Sequence, residues 1–281
     1  MKTKSKALFI LATGIILVYA GCKKSSNAPS VTVTSPTVVA SQLAVNLNES
    51  LSGGLGGFDI FNGLNATSSF AHISTGSVEI PSSLKLSHSQ SIFTTQGRMK
   101  QILRAVNPLC GSVSDTTVNE STTEGGLTIA VAGEIKFSFS CTNNILSGFN
   151  NVDNLNITLG TADTSFSYKV AENVTVAAVS PGVTNTNITL NGTIGSTISY
   201  TIKTGASAGT GTASFNYTFS SVTISPSAGI LSGTATFSTT SNGPQGTWNY
   251  SGTITFLGNG EAKITISGVT YNVNLDTGAV G

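Results

Sequence analysis

The sequence predicts a mainly β protein: a large curved antiparallel sheet or open barrel with two short N-terminal helices, or alternatively a two-sheet β-sandwich. Three observations point there. "LTIAVAGEIKFSFSC", Leu127 to Cys141, carries Leu, Ile, Val, Gly, Ile, Phe, Phe and Cys at odd positions and Thr, Ala, Ala, Glu, Lys, Ser and Ser at even ones. Such alternation makes a strand with one dry and one wet face. From Leu127 almost to the end, runs of this kind are separated by turn signals. Helical periodicity is confined to the chain before Pro108.

Residues 1–21 have their own character. Lys2, Lys4 and Lys6 precede "ALFILATGIILVYA", an apolar run of about 14 residues where a spanning helix needs about 20. The run stops at Ala20-Gly21-Cys22, and this stretch resembles the lipobox of bacterial lipoprotein precursors, with Tyr19 where the familiar pattern has an aliphatic residue. "CKK" from Cys22 is similar to lipoproteins of the Bacteroidota. The resemblance covers residues 1–25. It implies cleavage before Cys22, acylation of Cys22 (palmitate among the chains) and attachment to the outer membrane, on a face the sequence does not specify. More than one acyl chain gives stable anchoring. Residues 22–35 then form the acylated cysteine and a linker rich in Ser, Pro and Thr, and 36–281 a single domain whose helical segment is 36–108.

Cleavage would leave 260 of the 281 residues. Without the three lysines the thirteen cations become ten, against twelve carboxylates, a net charge of −2. That balance excludes a nucleic-acid partner, which needs a basic stripe. Only 9% of residues are charged, against about 25% in an ordinary soluble domain. Besides Cys22 the chain has Cys110 and Cys141, and two cysteines in an exported chain form one disulfide. A zinc site would have to recruit His72 and His88 and is not expected, nor is any other metal or cofactor.

In chain order, Pro36 opens the first helix with Ser35 as its N-cap. Val39, Leu43, Leu47 and Leu51 form its apolar stripe, and Gly53-Gly54 ends it. "GGLGGFDIFNGLNATSSF" reads as a glycine-rich apolar loop. The second helix lies in "QSIFTTQGRMKQILRAVNP", where Met99, Ile102, Leu103 and Val106 share a face. Among the strands, Ile188 to Ile202 holds one parity, with a turn expected at Gly195. The parity of Phe215, Tyr217 and Phe219 flips to Val222 and Ile224, which places a bulge at Ser220-Ser221. Residues 232–275 read as four strands joined by "NGPQG", Asn259-Gly260 and Ser267-Gly268.

Several stretches resemble catalytic or binding motifs. Asp276-Thr277-Gly278 and Asp163-Thr164-Ser165 resemble the paired signatures of aspartic proteases, but the chain has only three residues after Gly278, and the family fold needs more. A terminal turn is the better account. "GASAG" matches a nucleophile elbow at Ser207, yet it lies between strands rather than before a helix. "SGGLGG" follows a helix and lacks the Lys-Ser/Thr of a phosphate loop. Lys85, Arg98, Lys100 and Arg104 form a basic cluster read as a solvated helix face. "NNVDNLN" at 150–156 has a single carboxylate, too few for calcium. Trp248 and Tyr250 share parity with Ile254 and Phe256 and so belong to the dry face, not to a glycan platform.

No catalytic residues are therefore assigned. The expectation is a non-catalytic envelope lipoprotein that binds a partner or serves a structural role. The alternatives are a carrier of an apolar ligand or lipid, and a surface glycan-binding or adhesin-like module. The partners foreseen are the membrane, through Cys22, and an unknown protein, glycan or lipid.

Overall fold

The computed structural model describes residues 33–52, 60–62, 110–124, 126–183, 185–203, 208–243 and 246–281. The signal stretch with Cys22, the second helix with its basic cluster, both histidines and Ser207 lie outside the described residues.

The first helix, α1, is Pro36–Leu51. Proline stands at its start, where a missing N–H costs nothing. Ser35 occupies the N-cap with extended backbone, although its side chain makes no capping hydrogen bond. Val39, Leu43, Leu47 and Leu51 are all fully buried, as a four-residue period on one helix face requires. One 3-10 turn follows at Ile60–Asn62, with Ile60 in the core and Phe61 packed against it.

The rest is one antiparallel sheet of ten strands, ordered as in the sequence: β1 Val113–Glu124, β2 Leu127–Thr142, β3 Ile145–Gly160, β4 Thr164–Ala178, β5 Ile188–Ile202, β6 Gly209–Ser225, β7 Gly229–Asn242, β8 Trp248–Gly258, β9 Glu261–Ile266 and β10 Val269–Asn274. Each strand pairs with the next. The sheet is open, because β1 and β10 do not pair, and its single layer replaces the alternative of a sandwich. Three connections are two-residue turns with both residues at positive φ: Asn143-Asn144, Asn259-Gly260 and Ser267-Gly268. Their mirror-image twist matches that of the flanking strands. The parity flip after Phe219 is an interruption of the β6–β7 register between Ser220 and Thr223, with Ser221 at φ 51°.

Gly195 is not a turn. It sits inside β5, which runs unbroken from Ile188 to Ile202 between Ala171 and Asn216. A β-carbon there would come within 2.9 Å of the Asn216 side-chain oxygen, so the glycine answers a close neighbour rather than a change of direction.

The two faces separate as alternation demands. On β2, Ile129, Val131, Ile135, Phe137 and Phe139 are at most 4% exposed, while Glu134 and Lys136 face solvent. Phe137 packs edge-on against Phe149 of β3, ring centroids 5.7 Å apart. Hydroxyls are prominent on the wet face. Thr193, Thr218, Thr236, Thr253, Thr265 and Thr270 stand in register across six consecutive strands, and the last two join side chains at 2.9 Å. Cross-strand threonine pairs stabilise a sheet and keep its surface hydrated, which accounts for a fold with so few ions.

The dry face is partly covered by α1, which packs on β9 and β10. Gly278, at φ +70°, lets the chain after β10 pass against Ser41 and Val45 of the helix. Ahead of the helix, Val33 bridges Thr247, Thr34 donates its N–H to the Thr247 carbonyl at 3.2 Å, and Tyr250 donates its hydroxyl to the Thr34 carbonyl. Cys110 and Cys141 form a disulfide, Cα atoms 5.3 Å apart, joining the start of the sheet to the end of β2.

Candidate functional site

Polar side chains buried on an apolar face need a reason, and the dry face holds two groups of them. The first lies under α1. Tyr217 of β6 is 2% exposed and donates its hydroxyl toward the Leu43 carbonyl at 3.2 Å and the Asn46 side-chain oxygen at 3.0 Å. Asn46 in turn donates to the Ser196 hydroxyl at 3.5 Å. Burial drives the Tyr217 pKa up, so the phenol stays a donor. This group pins the helix to β5 and β6.

The second group has the composition of a site. Asn151 and Asp153 of β3 and Glu172 of β4 are at most 3% exposed. Asp153 and Glu172 are direct cross-strand partners, in the row that continues to Ile135 on one side and Ile194 and Tyr217 on the other. Asn151 donates its side-chain N–H to the Glu172 carboxylate at 3.2 Å. Burial raises the Asp153 pKa to about 7, opposed in part by the Asn151 side chain and the Lys136 backbone. A carboxyl pair so placed can hold one proton and one negative charge. Both side chains are buried, so the pair as it stands faces protein rather than solvent.

Strand parity places these residues inside. Asn151 and Asp153 share parity with Phe149, Leu155, Ile157 and Leu159, and Glu172 shares it with Val170, Val174 and Val176. The same parity splits the oxygen ligands of 150–156 between two faces, Asn150, Asn154 and Asn156 going to the wet one. Composition alone missed this. The alternation was present in the sequence to find it.

The other motifs resolve into turns and core. Asp276 is exposed in the turn after β10, where Asn274 accepts hydrogen bonds from the Thr277 backbone and hydroxyl. Asp163 is exposed in the β3–β4 turn, where the Thr161 hydroxyl accepts the N–H groups of Asp163 and Thr164. Five strands separate β4 from β10, so the two aspartates do not form a dyad. Trp248 is buried, donating its indole N–H to the Thr239 hydroxyl at 3.0 Å, and Tyr250 packs against the core. Among the described residues no three metal-ligating side chains gather.

No protein-family model matches the chain, and neither a curated protein nor a solved structure does.

Proposed function

We propose that this protein is a non-catalytic module of the bacterial cell envelope, anchored to the outer membrane through acyl chains on Cys22. It would act by engaging a protein, glycan or lipid partner or as an envelope structural element. The observation that carries the reading is the Cys110–Cys141 disulfide, a bond suited to an oxidising, exported compartment. It agrees with the lipobox-like end of the apolar N-terminal run. Two features of the sheet support a non-catalytic role. The paired carboxylates Asp153 and Glu172 are sealed from solvent, and the apolar side chains of the dry face are buried rather than open to a ligand.

Detergent phase partition tests the anchor. Expressed with its native leader, the protein is expected in the detergent phase, and Cys22→Ser is expected to move it to the aqueous phase. Recovery of the unaltered protein wholly in the aqueous phase would overturn the assignment.

A further inference from the structure

The dry face is sealed along most of the sheet, but its cover thins where β4 begins and β5 ends. Phe166 and Tyr168 of β4 and Ile198, Tyr200 and Ile202 of β5 share the dry parity and are only half-buried. In the same rows on β3, Ile157 and Leu159 stay at most 6% exposed. Phe166 and Tyr200 are cross-strand partners, with ring centroids 6.3 Å apart. Tyr200 lies over glycine: a β-carbon on Gly211 would strike its ring, and one on Gly243 would come within 3.0 Å of its hydroxyl oxygen. That bed lets the ring lie along the rim of the sheet toward the β7–β8 connection. There Gly246 donates its N–H to the Gly243 carbonyl, and the next residue, Thr247, bridges the 70%-exposed Val33. The aromatic rim and the place where the N-terminal chain joins the sheet are thus neighbours.

We propose that this rim, with Phe166, Tyr200 and Ile202 foremost, rests on a phospholipid bilayer and places those side chains at the boundary between headgroups and acyl chains. Attachment and charge select the bilayer. Ten residues separate Cys22 from Val33, so a lipid on Cys22 brings the membrane close to this part of the sheet. Asp163 and Lys203, exposed just before β4 and just after β5, offset each other in charge. Lys203 is held there by its Nζ, which donates to the Ala162 carbonyl at 3.0 Å. With these charges balanced, contact rests on apolar area and on the tyrosine ring, whose apolar body and polar tip suit that boundary. A polysaccharide could stack on the rings but would leave Ile198 and Ile202 without an apolar partner. This seat presupposes the acyl anchor on Cys22 and adds a second contact to it.

The experiment uses the full chain, expressed with its native leader in a bacterium that processes lipoproteins and reconstituted into phosphatidylcholine vesicles. Two photolabelled variants are compared, Ile202→benzoylphenylalanine and Leu257→benzoylphenylalanine. Leu257 is 49% exposed at the far end of β8, about 34 Å from Thr247 at the rise of a strand. After irradiation, mass mapping reads both the lipid adducts and the acyl chains on Cys22. Lipid adducts at 202 and none at 257, on a chain acylated at Cys22, are the expected result. An acylated chain without adducts at 202, or with equal adducts at both positions, would overturn the rim and leave the anchor standing. Adducts confined to 202 on an unacylated chain would support the rim and overturn the anchor. Absence of both adducts and acylation would overturn both. Should the 202 variant fail to fold, Phe166→benzoylphenylalanine takes its place with the same expectations.

Discussion

Asp153 occupies a core position on β3 where an apolar residue would be expected, and its proton makes that tolerable. Burial raises its pKa from 3.8 to about 7. Between those values the folded chain holds a proton that the unfolded chain releases, so stability falls as pH rises through that window. Below it both states are protonated and the group contributes no pH dependence. The melting temperature is accordingly expected to decline from about pH 4 to about pH 7. Asp153→Asn, which keeps the shape without the charge, should flatten the decline and melt higher at the upper end. Parallel profiles for the two proteins would show that Asp153 does not titrate in this way. Tyr217 gives a second test at this scale. Tyr217→Phe removes the donor that faces Leu43 and Asn46 and is expected to cost about 1–3 kcal/mol in urea unfolding.

At the scale of the element, α1 shows how much one stripe decides. Pro36 and the four-residue spacing of Val39, Leu43, Leu47 and Leu51 were enough to place the helix and its buried face. Leu47, fully buried, should cost about 2–5 kcal/mol when truncated to alanine, and Phe137 on β2 about 3–5 kcal/mol. Equilibrium unfolding of each variant measures these. A near-zero loss at Phe137 would mean that its side of the sheet is not packed. The strands were legible for the same reason as the helix: Ile129 to Phe139 alternate without exception, and Asn259-Gly260 and Ser267-Gly268 are turns by their own chemistry. Gly195 was misread because glycine marks both turns and crowded strand centres, and only the neighbour Asn216, a strand away, separates the two. The buried pair of Asp153 and Glu172 needed parity to be applied to polar residues as strictly as to apolar ones. Strand alternation also says nothing of whether the last strand meets the first, so the choice between open sheet, barrel and sandwich awaited the tertiary structure.

For the whole molecule, the disulfide closes a loop of 31 residues and limits the unfolded chain. Replacing both Cys110 and Cys141 by serine is expected to lower stability by about 3–4 kcal/mol, measured against the oxidised protein by denaturant titration. No change would imply that the connected ends meet as readily without the bond. The bridge from Val33 to Thr247 has a different consequence if Cys22 is acylated as proposed, for the posture of the molecule at a membrane. Thr247 lies just before β8, at the end of the sheet that also holds the turns at Asp163 and Ser267-Gly268. Ten residues, 23–32, separate Cys22 from that bridge, a leash of at most about 35 Å. A lipid attached to Cys22 would therefore hold this end beside the bilayer. Asn143-Asn144, Asn259-Gly260 and the disulfide would point outward. Any binding partner would meet those outer turns first.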